Sequence, residues 1–209
     1  IKNTIGKDNP FYFEYLCSLS ASYLAQNDFE KLFECLDELA PIAKVILSDY
    51  SQDYSSSLDF MADCYMTGGD FNSAIKYSLE LQTILENKDR INNVQCLKNL
   101  KRLSLANKKL GDYRKALIYA KKLKPISEIL YGVKHPDYAR EIIELATYYS
   151  INDELVKAKN LNLEALKIVK MNPVGFADLY FKVLNELALN YFNLSNYSKS
   201  IELLNEAID

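Results

Sequence analysis

Five short turns, each 42 residues from the next, limit what this chain can fold into more than any other feature. Asp28-Phe29, Asp70-Phe71, Asp112-Tyr113, Glu154-Leu155 and Asn196-Tyr197 recur without insertion or deletion along the 209 residues. Fixed self-similarity at this period is the mark of a solenoid, in which each repeat buries its apolar face only by stacking on its neighbours. Aligned in rows of 42, the chain shows columns. One reads Leu16, Leu58, Leu100, Ile142, Leu184, and three residues on stands Leu19, Met61, Leu103, Leu145, Leu187. The next position is always small (Ser20, Ala62, Ser104, Ala146, Ala188), and Tyr23, Tyr65, Asn107, Tyr149, Tyr191 follow. Such spacing is one face of a helix, so each row opens with an amphipathic helix A.

A second stripe follows each turn. Leu32, Ala74, Ala116, Ala158 and Ser200 form a mostly small column, and Leu39, Leu81, Leu123, Ala165 and Ala207 lie seven residues further on. This is a longer helix B, and facing small columns let two antiparallel helices approach closely. Asp28, Asp70 and Asp112 are placed to cap helix B, and Asn9-Pro10 and His135-Pro136 read as a cap followed by proline at the first helical position. Gly68-Gly69 and Gly111 fall where helix A must end in left-handed backbone. The expected architecture is all-α: ten helices in five hairpins, a single array over 1–209. Its repeats span about 9–50, 51–92, 93–134, 135–176 and 177–209, with 1–8 as the tail of a preceding helix. Both ends read as cuts, because Ile201, Leu203 and Leu204 lie on a last helix with no following helix to cover them.

Composition removes most function classes. A lone histidine, His135, leaves no Cys–His or Ser–His–Asp pairing, so no catalytic site and no cofactor are expected. Cys17, Cys35, Cys64 and Cys96 lack the spacing of a zinc site and read as reduced core thiols, which points to a cytoplasmic location. No apolar run approaches the ~18 residues of a membrane span. The net charge is −3, but Val94–Lys124 holds ten of the 25 bases and one of the 28 acids. That belt is the chain's one electrical departure.

The pattern Leu58, Met61, Ala62, Tyr65, Phe71, Ala74, Leu81 resembles the tetratricopeptide repeat, and it recurs along essentially the whole chain. The long period, the linker Tyr131-Gly132-Val133-Lys134-His135-Pro136-Asp137-Tyr138-Ala139 and its second copy Ile5–Pro10 resemble the kinesin-light-chain class. A composition rich in Tyr, Asn, Lys and Ile and free of Trp suits an AT-rich microbial gene. The resemblance implies a right-handed superhelical solenoid whose concave groove, lined by the A helices, holds a peptide or partner segment. Lys98 and Arg102 match part of the carboxylate clamp of the chaperone-tail binders, while Cys17, Ala21 and Phe60 stand where that clamp requires Lys and Asn. Leu184-Asn185-Glu186-Leu187-Ala188 reproduces the groove-asparagine motif of the kinesin-light-chain class once.

In this register Lys98, Lys101, Arg102, Lys108 and Lys109, continued by Arg140, Lys182 and Asn185, are the candidate groove residues. Two readings of them stay open. Positive clefts steer acidic partners, so these residues can receive an acidic segment. Equally, Lys101 lies lateral to Asp59, and the helix B column Glu38, Glu80, Lys122, Glu164, Glu206 suggests ion pairing between repeats, worth little per pair. Arg114, Lys115 and Lys121 are expected on the opposite, convex side. Nucleic acid is disfavoured, since Tyr113 and Tyr119 are the belt's only aromatics and sit in core columns. The expectation is a protein-binding scaffold. The alternatives are the regulatory arm of a larger enzyme and a module that self-associates through its end helices.

Overall fold

The computed structural model describes residues 10–47, 51–87, 93–171 and 175–208. The tail over 1–8 and the linker copy with the Asn9 cap lie outside them. Ten helices run in chain order: α1 (Pro10–Gln26), α2 (Phe29–Leu47), α3 (Ser51–Gly68), α4 (Phe71–Asn87), α5 (Val94–Lys109), α6 (Tyr113–Tyr131), α7 (Pro136–Ile151), α8 (Leu155–Val169), α9 (Ala177–Asn193) and α10 (Tyr197–Glu206). No strand occurs among the described residues. The chain divides into two compact units, Ile1–Arg90 and Ile91–Asp209. The first holds the hairpins α1–α2 and α3–α4, and the second holds α5–α6, α7–α8 and α9–α10.

The columns become the cores. Leu16, Leu58, Leu100, Ile142 and Leu184 are all buried. So are the small columns of both helices, Ser20, Ala62, Ser104, Ala146, Ala188 and Leu32, Ala74, Ala116, Ala158, Ser200. Their closeness is visible in the last hairpin, where the Ser200 hydroxyl donates to the Ala188 carbonyl at 2.9 Å. Leu203, expected on the uncovered face of α10, instead packs into the hairpin's own core beside Leu184 and Leu187. It sits between Ser200 and Ala207 on the stripe facing α9, while Ile201 and Leu204 point outward and are exposed.

Every turn from A to B uses one device. Asn27, Gly69, Gly111, Asp153 and Ser195, again 42 residues apart, all adopt left-handed backbone, with φ of 56°, 85°, 79°, 64° and 60°. That conformation lets the next N–H reach back into helix A: Asp28 N to Tyr23 O at 3.0 Å, Asp112 N to Asn107 O at 2.9 Å, Glu154 N to Tyr149 O at 2.9 Å and Asn196 N to Tyr191 O at 2.8 Å. The following residue then caps helix B. Asp28, Asp70, Asp112 and Asn196 each accept a backbone N–H three residues on, at 3.3, 3.1, 3.0 and 3.2 Å. Glu154, longer by one methylene, makes no such cap and pairs with Lys157 instead. His135 Nδ1 accepts from the Asp137 N–H at 3.2 Å, as the motif before Pro136 requires.

Left-handed backbone costs a residue with a β-carbon about 1 kcal/mol, and Ser195 lacks the local amide that eases this for Asn. Ser195→Gly is therefore expected to stabilise by about 0.5 kcal/mol once the freer unfolded chain is counted. Gly111→Val is expected to destabilise by about 2 kcal/mol. Urea unfolding monitored by circular dichroism checks both signs. Gly68 is constrained for a different reason: a β-carbon there would lie 2.5 Å from Cζ of Phe33, where α3 crosses α2.

The column Glu80, Glu164, Glu206 does not serve only for pairing between repeats. Each carboxylate accepts the hydroxyl of a tyrosine 26 residues earlier in its own hairpin: Tyr54 at 2.6 Å, Tyr138 at 2.7 Å and Tyr180 at 2.5 Å. The hairpin α5–α6 replaces both partners together, with Cys96 and Lys122, so no carboxylate loses its donor. Glu164 also receives Lys124 at 2.8 Å, and Glu206 receives Lys170 at 2.7 Å. For Glu164, burial raises the pKa, but the hydrogen bonds from Lys124 and Tyr138 outweigh it and hold it below the usual value. A depressed folded-state pKa contributes stability above the unfolded value, which is lost as pH falls through the folded one. Tyr138→Phe should therefore cost about 1 kcal/mol at neutral pH and little below the carboxylate range, as urea titrations at pH 7 and pH 3 would show.

Candidate functional site

Within the second unit the A helices α5, α7 and α9 carry the residues that the sequence nominated, and the structure sorts them. Lys98, Lys109 and Asn185 are exposed. Lys101 is half-buried, and its ammonium reaches Glu141 Oε1 at 2.6 Å on the next A helix. Arg140 pairs with Asp137 one turn earlier on α7, and Lys182 of α9 pairs with Glu144 of α7. The Lys108 ammonium stands 5.6 Å from the centre of the Tyr148 ring. Arg102 is not brought to the open surface: it is 5 % exposed and donates to Asn99 Oδ1 at 3.2 Å. A long side chain can follow the packed stripe of a helix although its column borders the groove-facing one.

Of these, Lys101 and Arg140 line a cleft of about 230 Å³ among α5, α6 and α7, together with Ser104, Leu105, Leu123, Glu144 and Tyr148. Charge at its rim is paired, and its acids differ in setting. Glu141 is almost wholly buried, with one oxygen on Lys101 and the other without a hydrogen-bond partner. Burial pushes its carboxyl up, against the pull of Lys101. Burial likewise raises Glu186 on α9, opposed by Lys182. The face is thus an alternation of lysines and carboxylates with a basic margin at Lys108 and Lys109, the C-terminal end of α5.

What the sequence left unnominated on this face is apolar. Leu105 and Leu189 occupy one column of the A helices and are 40 % and 50 % exposed, Ile151 is 38 % exposed, and Phe192, in the column of Lys108, is 55 % exposed. The column positions were readable, but charge drew attention first. Large apolar side chains grouped on one face are the stronger signal of a contact surface.

No model of a known protein family matches the chain, and no curated relative does. Solved structures do. A kinesin-light-chain-like protein of nearly identical TPR-like repeats from Podosopora anserina aligns over 95 % of this chain and 94 % of its own, with TM-score 0.76 and 18 % identity. BtubC (BKLC) from P. vanneervenii aligns over 93 % and 89 %, with TM-score 0.68 and 14 % identity. MamA from Desulfovibrio magneticus RS-1 aligns over 98 % and 96 %, with TM-score 0.67 and 14 % identity. The chain has the tetratricopeptide-repeat fold. A further tetratricopeptide structure, the sensor-bearing STAND signal transduction ATPase of Pyrococcus horikoshii, matches 92 % of this chain at TM-score 0.67 and 22 % identity, with 28 % of its own length covered.

Among the described residues of this tetratricopeptide array, no group of three or more His, Cys, Asp or Glu is placed to hold a metal ion, and no helix is long and apolar enough to cross a membrane. None of the four cysteines is in a disulfide, and burial pushes Cys64 up to about 12, well away from a reactive thiolate.

Proposed function

We propose that the tetratricopeptide repeats of the second unit bind a partner polypeptide segment on the A-helix face, and that the preferred segment combines acidic with large apolar residues. The observation that carries this reading is the exposure of Leu105, Leu189 and Phe192 on the face that also carries Lys108 and Lys109. Apolar anchors supply affinity, and the basic margin supplies orientation and encounter rate. The ion pairs of Lys101, Arg140 and Lys182 temper that charge, so these residues act as a polar frame around the apolar stripe. Their long stems remain available for contact where the heads are paired.

Fluorescence anisotropy with a labelled acidic peptide bearing leucine and phenylalanine tests the proposal. Binding that weakens with salt, and that fails for a peptide of the same length with Lys and Ser in place of the acids and apolar residues, supports it. Equal binding of both peptides overturns it. A second reading, a regulatory arm of a larger enzyme, draws support from the Pyrococcus horikoshii ATPase, in which a comparable array is a sensor segment of a much longer chain. Sequencing the intact gene separates the two: a catalytic signature outside these residues favours the arm.

A further inference from the structure

The outer faces of the B helices tell a different story from the A-helix face. Helix α2 in the first unit carries four acids and two lysines, whereas α6 in the second carries five bases and one acid. Both expose their solvent stripes, and the two stripes share the 42-residue register two repeats apart. Glu30 stands in the column of Arg114, Asp37 in that of Lys121, and Val45 (65 % exposed) in that of Ile129 (63 % exposed). Positions 30, 37 and 45 fall within a sector of about 80° of a helix, so the three pairs share one side, with Glu34 opposite Ile118 between them. Set side by side, parallel and in register, α2 and α6 would place acid against base twice and apolar against apolar at the far end. The switch is also local: Asp37 accepts the Tyr65 hydroxyl at 2.7 Å, while Lys121, its counterpart, lies 5.3 Å from the centre of the Tyr149 ring.

We propose that the α6 face of one copy of this chain docks on the α2 face of a second copy, through Arg114, Lys121 and Ile129 against Glu30, Asp37 and Val45. The occupant is set by complementarity: α2 offers the acidic, apolar-tipped stripe that α6 lacks, in the same spacing. The contact joins unlike surfaces, so it extends from copy to copy or closes into a ring. Because it rests on paired surface charge, it weakens with ionic strength.

Sedimentation velocity on the whole chain tests this. Association at low salt that falls about tenfold in strength at high salt is expected. The variants Arg114→Glu/Lys121→Glu and Glu30→Lys/Asp37→Lys should each stay monomeric alone, and an equimolar mixture should associate again, since each supplies the face that the other has lost. A lysine at 37 removes the acceptor of the Tyr65 hydroxyl, so circular dichroism verifies the folding of that variant, and Glu30→Lys alone repeats the test without touching Tyr65. Monomeric wild type at low salt overturns the proposal, as does association that neither double variant disturbs. Wild type that stays monomeric yet binds phosphatidylserine vesicles would overturn it too, and would assign the α6 stripe to an anionic membrane.

Discussion

Lys108→Glu/Lys109→Glu is expected to lower affinity for an acidic, apolar-bearing peptide by about 30-fold, on roughly 1 kcal/mol per reversed contact. The two residues sit at the end of α5, Lys109 exposed and Lys108 over the Tyr148 ring. Lys108 is the weakest of the charges that act on the partly buried Glu186, and Lys182 acts on it more strongly, so reversal loads the interior far less than at Lys101. Lys101 is a poorer choice for the same experiment. Its reversal would set a second carboxylate against Glu141, which is 3 % exposed, and lost binding could no longer be told from lost folding. Anisotropy with unchanged helical content checks the double variant. Unaltered affinity would remove the basic margin from the binding reading and leave the apolar stripe to carry it alone.

Leu184→Ala is expected to destabilise the second unit by about 3 kcal/mol, the middle of the range for a leucine deleted from a packed interior. Leu184 has no exposure and lies in a cluster with Ile142, Ile168, Val183, Leu187 and Leu203. The small residues around it, Ala165 and Ala188, cannot reach into the space left behind. Since they hold the helices at close approach, collapse of the cavity would require α9 and α10 to shift together. Chemical denaturation should show a lower midpoint. A loss below about 1 kcal/mol would mean that this hairpin repacks freely.

The scaffold was almost entirely legible because it depends on period and on residue size. Most columns that read as apolar or small in the chain are buried in the structure, with Leu19, Tyr149 and Ala207 among those only partly so, and the capping aspartates cap. What could not be read was the choice of partner by long polar side chains. A column gives the direction of a β-carbon, and Lys101 from that point can turn toward either neighbouring repeat; it takes Glu141. Arg102 borders the groove-facing column, yet its guanidinium follows the packed side to Asn99. The hydroxyls of Tyr54, Tyr138 and Tyr180 are tied to glutamates 26 residues on, a separation that no single-helix periodicity reveals. The apolar content of the A-helix face was written in the same columns as its lysines, but exposure is a property of neighbours, and it emerged only with the neighbours in place.

The left-handed residue that closes each helix A has a consequence for how such a chain can change. Glycine occupies that position in two of five hairpins, and Asn, Asp and Ser fill the others. A turn held by its own backbone geometry, and in four of the five hairpins by one side-chain cap, is indifferent to which hairpin comes before or after it. Length altered inside the turn would rotate every later side chain off its face, whereas a whole hairpin gained, lost or exchanged leaves each turn as it was. The unit of change in this array is therefore the hairpin: single substitutions alter its surfaces, while its frame can be lengthened or shortened only in whole hairpins.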